Sequence, residues 1–133
     1  MITKTITQTI TLPGRPAAVY AAIMNEQKHG AFTGAAAKID ARVGGRFFCY
    51  DDYIDGVTLA LARDQLIVQA WRSKNWPEGF YSVVTFALAP VGGGKTRLRF
   101  TQLGVPVRDF KAKSSGWRTH YWEPLKRYLA KGK

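Results

Sequence analysis

The segment that most constrains this chain is its last one, Gly116-Trp117-Arg118-Thr119-His120-Tyr121-Trp122-Glu123-Pro124-Leu125-Lys126-Arg127-Tyr128-Leu129. Four aromatics and two leucines recur there at helical spacing, which predicts a helix with a heavy apolar face. Such a face needs a broad apolar surface to lie on, and the rest of the chain reads mostly as strands. One aromatic-rich helix laid across a sheet is an arrangement that can enclose a ligand cavity.

The first strand is the clearest. Ile2, Ile6, Ile10 and Leu12 share one parity while Thr3, Thr5, Thr7, Thr9 and Thr11 fill the other, the alternation of a half-buried strand. Pro13-Gly14-Arg15-Pro16 breaks it, and Pro16 suits the first turn of a helix over 17–24 that carries Val19, Tyr20, Ile23 and Met24 on one side. Residues 25–36 are polar and read as a short second helix or a loop with His29 and Phe32. From Lys38 strand signals resume at 46–50, 53–61, 66–72, 80–88 and 96–103, with turns at Asp51-Asp52, Arg63-Asp64 and residues 90–94. Val84, Phe86 and Leu88 share parity, as do Leu98 and Phe100 opposite Arg97 and Arg99. One apolar and one wet face is what an antiparallel sheet covered on a single side requires. Ser114-Ser115-Gly116 is placed at the opening of the final helix, with serine able to cap it.

The order is strand, one or two short helices, about six strands, long helix. Together with Val43-Gly44-Gly45-x-Phe47, Val68-Gln69-x-Trp71-Arg72, Trp76-Pro77 and Gly116-Trp117-x-x-x-Tyr121-Trp122-x-Pro124-Leu125, it resembles the START-like (Bet v-type, SRPBCC) superfamily. Within that group the chain is similar to the homologues of the activator of heat-shock-protein-90 ATPase. The resemblance implies an α+β helix-grip fold, with a curved antiparallel sheet of about six to seven strands around the C-terminal helix and a cavity between them. Residues 1–133 are then expected to form one domain. No single activity follows, because superfamily members bind lipids, hormones or polyketides and some are enzymes.

Composition narrows the setting. No run approaches the ~20 apolar residues that span a bilayer, and the N-terminus alternates like a strand rather than forming a signal core. Cys49 is the single cysteine, so no internal disulfide is possible and the cytoplasm is the expected compartment. Net charge is +11, and residues 95–133 carry eleven cations against Asp109 and Glu123, a net +9. Such asymmetry is the footprint of an acidic partner: a nucleic acid, an anionic ligand or an acidic protein surface. The plain alternative is a basic surface kept for solubility. No basic–aromatic nucleic-acid motif accompanies the charge, which argues against nucleic acid.

Reactive constellations are sparse. Gly92-Gly93-Gly94-Lys95-Thr96 lacks the first glycine of a phosphate loop, since Ala89 stands there, and a strand rather than a helix follows, so it reads as a hairpin. His29, His120 and Cys49 form no ligand pair at local spacing, so neither a metal nor a cofactor is expected. Cys49 reads as a buried thiol; its pairing with His120 across the cavity requires a parity the sequence leaves open. Asp51, Asp52 and Asp55 suit either acid–base work or a turn, with Asp55 the better candidate for chemistry. No catalytic residue is assigned. Eleven aromatics, Phe47, Phe48, Tyr50, Trp71, Trp76, Phe80, Tyr81, Phe86, Trp117, Tyr121 and Trp122, exceed the needs of a small core, and either line a pocket or fill the grip. Pro124 is expected to kink the helix, and Gly44-Gly45 to permit a bend or close approach.

The leading expectation is non-enzymatic binding of a small apolar or amphipathic molecule. Trp71, Phe86, Trp117 and Tyr121 would be the walls, with Tyr50 and His120 as polar contacts. The alternative is a co-chaperone-like interaction module that presses Lys126, Arg127 and Lys131 on an acidic partner and stimulates a chaperone ATPase. A third is a cyclase- or aromatase-type enzyme, which needs Asp55, His120 or Tyr50 to converge in the pocket. A monomer or homodimer with no membrane insertion is expected.

Overall fold

The parity of the sequence is realised as a seven-stranded, fully antiparallel sheet in the order β1-β7-β6-β5-β4-β3-β2. The computed structural model describes residues 1–132. Strand β1 (Thr3–Leu12) leads into helices α1 (Pro16–Met24) and α2 (Glu26–Thr33). Strands β2 (Lys38–Ile39), β3 (Arg46–Cys49), β4 (Ile54–Ala62), β5 (Leu66–Ser73), β6 (Ser82–Val91) and β7 (Lys95–Pro106) follow. On β7, Thr96, Leu98, Phe100 and Gln102 are buried while Lys95, Arg97 and Arg99 face outward. The Gly-rich segment closes the β6–β7 hairpin, with φ of 81° at Gly93 and 71° at Gly94, a conformation glycine adopts without steric cost. On β1 the buried positions are Ile6, Gln8 and Leu12, whereas Ile2 precedes the strand and is 80% exposed.

Local signals explain the two short helices. Pro16 occupies the first turn of α1. The Asn25 side chain accepts from the Lys28 N–H at 3.0 Å, and α2 ends on Gly34 at φ 74°, so a weakly patterned segment is capped at both ends. Gly56 on β4 meets a close approach: a Cβ there would collide with the Ala70 carbonyl oxygen and the Phe47 ring.

The C-terminal helix differs from the expectation in where it starts and how it winds. It follows a 3₁₀ turn (Val107–Asp109) and runs as α3 (Phe110–Gly116), a π-helical segment (Trp117–Trp122) and α4 (Glu123–Lys131). Ser114 lies inside it rather than capping it, and its carbonyl accepts the Gln8 side-chain amide at 2.9 Å. Tertiary contacts of this kind override the weak helix propensity of Ser-Ser-Gly. In an α-helix Trp117 and Trp122 would sit about 140° apart around the axis. The i→i+5 pattern, seen where the Glu123 N–H bonds the Arg118 carbonyl, brings them onto one face. Their rings stack at 5.5 Å and 25°. Each indole N–H then donates to a glutamine on the sheet: Trp117 to Gln102 Oε1 at 2.8 Å and Trp122 to Gln8 Oε1 at 2.7 Å. Gln102 passes the chain on to the Ser82 hydroxyl at 3.0 Å, which donates to the Trp71 carbonyl at 3.0 Å.

Pro124 comes just after the widened turn, in the first turn of α4. It has no N–H for the carbonyl four residues back, that of His120, and the Tyr50 hydroxyl donates to that oxygen at 2.8 Å instead. Trp122→Phe strands Gln8 Oε1 in the core and should cost about 2 kcal/mol of unfolding free energy by urea titration. Adding Gln8→Leu should recover part of that loss, because it removes the stranded Oε1, while the half-buried Ser114 carbonyl gives up its Gln8 donor.

Candidate functional site

Because the indoles hold the helix to β1 and β7, its other flank stands over the β3–β5 half of the sheet and over α2. A cleft of about 710 Å³ lies there, partly open to solvent. Tyr50, Trp71, Phe86, Trp117, His120 and Tyr121, the six residues singled out from the sequence, all border this one space. Trp71 and Phe86 rise from β5 and β6, with the Trp117 ring 5.7 Å from Trp71 and 6.1 Å from Phe86 in a T-shaped contact. These rings form an apolar wall with edges and faces both on offer.

At one end of the wall is a buried polar cluster that sequence reasoning missed. His29 from α2 places Nε2 3.0 Å from the Tyr121 hydroxyl and 3.8 Å from Cys49 Sγ. Cys49 therefore pairs with His29, whereas the His120 side chain is exposed at the rim and only its carbonyl meets Tyr50. The one signal for His29 was its i, i+3 spacing to Phe32, a buried ring 5.0 Å from the imidazole. Nε2 thus lies within hydrogen-bond reach of a phenol hydroxyl, which can donate or accept, and of a thiol. Nδ1 has no partner among the described residues.

Burial sets the protonation of this cluster. Desolvation lowers His29 from 6.5 to about 4 and raises Cys49 to about 12. It also raises Tyr50 and Tyr121, with the neighbouring thiol adding to the effect in both. All four groups are neutral at pH 7, able to exchange hydrogen bonds but holding neither thiolate nor imidazolium.

The carboxylates do not converge. Asp55 on β4 pairs with Arg72 across the strand at 3.6 Å, outside the cleft. Asp51 reaches the rim, where its Oδ1 accepts the Ala36 N–H at 2.9 Å. Tyr50, Asp51 and Asp52 have φ of 53°, 56° and 72°, a left-handed run of three non-glycine residues. Among the described residues no three of His, Cys, Asp and Glu are grouped to hold a metal ion. No helix among them is long and apolar enough to cross a membrane.

The solvent-exposed side of the same helix carries Arg118, Lys126 and Lys131, with Arg127 exposed at the rim of the cleft. Among the described residues one helix carboxylate touches them, Glu123 at 3.8 Å from Lys126. That exposed i,i+3 pair contributes only tenths of a kcal/mol, so the face keeps its positive field.

Residues 14–130 match the family model described as Activator of Hsp90 ATPase homolog 1-like protein. An activator of 90 kDa heat shock protein ATPase homolog of Dictyostelium discoideum is 31% identical over 93% of this chain and 32% of its own length. Homolog 1 from Homo sapiens is 30% identical over 88% of this chain and 34% of its own. The chain thus spans about a third of the length of these curated relatives. Among solved structures, an HSP90 activator from Plasmodium falciparum superposes with a TM-score of 0.89 at 22% identity, covering 95% of this chain and 96% of that one. That likeness establishes the helix-grip fold.

His29 should leave a pH signature. Its folded-state pKa lies below its unfolded value, so at low pH the unfolded chain binds a proton that the folded chain refuses. Stability therefore falls as pH drops from about 6.5 to about 4, by about 3 kcal/mol in full. In urea titrations at pH 7 and 4.5, His29→Gln should lose less stability than the parent on acidification. Equal losses would show that His29 titrates normally.

Proposed function

The chain belongs to the Activator of Hsp90 ATPase homolog 1-like family, and on that premise we propose that it is a chaperone-contacting module. Its partner would be an acidic surface of a 90 kDa heat-shock-protein-type ATPase, whose turnover it raises. The observation that carries this reading is the basic face of the C-terminal helix: Arg118, Arg127 and Lys131 have no carboxylate within salt-bridge reach among the described residues. Free cations on a rigid element attract a complementary surface and speed its encounter.

The test is the steady-state ATPase rate of a 90 kDa heat shock protein with and without this chain. Stimulation is expected at low salt and should weaken at 0.3 M salt, where screening shortens the reach of surface charge. Replacing Lys126, Arg127 and Lys131 with Gln should remove most of it. An ATPase rate indifferent to the chain, or to those three changes, overturns the reading.

A second reading is favoured by a separate observation, the cleft of about 710 Å³ walled by Trp71, Phe86 and Trp117. Pockets of that size with apolar walls and few polar groups suit small molecules, so the chain would bind a partly apolar ligand without transforming it. The neutral state of His29, Cys49, Tyr50 and Tyr121 supports holding over catalysis. Titration with dodecanol should change tryptophan fluorescence saturably, since two indoles form the wall. A flat response across apolar chains and fused-ring probes defeats this second reading and leaves the first intact.

A further inference from the structure

We propose that the cleft selects amphipathic molecules bearing a carboxylate head, and that Lys113 is the residue that holds it. The inference rests on the second reading above. Lys113 lies on α3, borders the cleft and is half-buried. With Trp117 and Tyr121 it forms an i, i+4, i+8 stripe along the flank of the helix that faces the cleft.

The surroundings of its ammonium are unusual for a lysine. Nζ stands 5.2 Å from the Tyr53 ring centroid, 5.8 Å from that of Trp71 and 5.9 Å from that of Trp76. Its one hydrogen bond among the described residues goes to the Ser73 hydroxyl at 3.2 Å. No carboxylate among them lies within salt-bridge reach. The acid one turn earlier, Asp109, has its Oδ2 engaged by the Trp76 indole N–H at 2.8 Å. An ammonium has three donors, so two have no protein acceptor among the described residues and are free for a ligand in the partly open cleft. Ring faces attract a cation, but they accept none of its hydrogen bonds as a charged oxygen does.

Ligand geometry follows. A carboxylate at Nζ would gain a charge-assisted pair in a partly desolvated place, where such pairs outweigh their exposed counterparts. The apolar body would then run along the helix past Trp71 and Trp117 towards Phe86. The other formal charges bordering the cleft are Asp51, whose Oδ1 is held by the Ala36 N–H, and Arg127. Arg127 stands fourteen residues further along, about 20 Å away at 1.5 Å per residue. The charge at the Lys113 end is thus positive and local, which disfavours a cationic head.

Three twelve-carbon probes that differ in the head separate the possibilities: dodecanoate, dodecanol and dodecyltrimethylammonium, titrated below their micelle concentrations at pH 8 and 0.15 M salt. Tryptophan fluorescence and calorimetry supply the readouts. Dodecanoate should bind about tenfold or more tightly than dodecanol, the worth of one partly buried charge-assisted bond, and the cation more weakly than either. Lys113→Met keeps the apolar stem over the rings and should bring dodecanoate down to the level of dodecanol. Lys111→Met removes the same charge from an exposed position of the same helix outside the cleft and should leave the preference in place. Equal binding of acid and alcohol by the parent protein overturns the proposal while the cleft reading stands. So does a preference that survives Lys113→Met, or one lost equally in Lys111→Met. Binding of none of the three overturns both.

Discussion

The two tryptophan–glutamine bonds between the C-terminal helix and the sheet are the constraint from which the rest of the structure follows. Gln8 and Gln102 sit at core-facing positions of β1 and β7 where alternation calls for apolar side chains. Each buried amide needs partners, and an unmatched one costs more than a matched one gains. Trp122 and Trp117 supply the N–H groups, and they do so together only because the helix opens into a π turn that stacks residues five apart. Turning the helix by one residue, or closing it to α geometry, would orphan at least one glutamine. Polar pairs in the core thus fix the angle of an element that apolar packing alone would leave free to slide.

That fixed angle produces the cleft. Phe100 fills the space under the pinned flank, 4.3 Å from Trp117 and 5.3 Å from Trp122. The opposite flank is spanned by two side-chain bridges, Tyr50 to the His120 carbonyl and His29 to the Tyr121 hydroxyl. The first depends on Pro124, which leaves that carbonyl short of an α-helical donor. It depends as well on the left-handed run at Tyr50-Asp51-Asp52, which costs about 1–3 kcal/mol per residue and is braced by the paired Asp51–Ala36 bonds. Strain at the cleft's margin and a wall carbonyl that Pro124 denies its α-helical donor are therefore two halves of one device: the turn aims a phenol at that oxygen.

Strand parity, the hairpin at the glycines, the proline-led helix α1 and the aromatic load of the last helix were legible in the sequence, because each is a local pattern with one physical meaning. The π turn was not. Trp117 and Trp122 look mispaired at α spacing, and their glutamine partners lie 15 and 114 residues away. His29 was hidden for a related reason: α2 has almost no apolar periodicity and owes its form to the Asn25 and Gly34 caps. Lys113 carried a readable sign, a cation four residues before Trp117 on the inward stripe, which the abundance of lysine nearby obscured. The sequence offered His120 as a polar contact of the pocket and read Cys49 as a buried thiol whose pairing with His120 stayed open; the α2 helix brings His29 to that thiol.

The protonation of the cluster bears on what such a pocket can do. Acid–base work near neutrality needs a group whose pKa lies close to the working pH, and here desolvation drives histidine down while it drives thiol and phenols up. The four groups are pushed apart to opposite ends of the scale, each held in its neutral form across the physiological range. Neutral donors and acceptors in an apolar wall can exchange hydrogen bonds with a molecule held there, as the proposed binding requires. Apart from Lys113 and Arg127 at the cleft's borders, the charge of the helix that forms the wall is carried on its solvent-exposed side. Inner face and outer face answer to different physics, desolvation inside and long-range field outside. The two proposed roles would therefore draw on different sides of one helix, with Arg127 at the border between them.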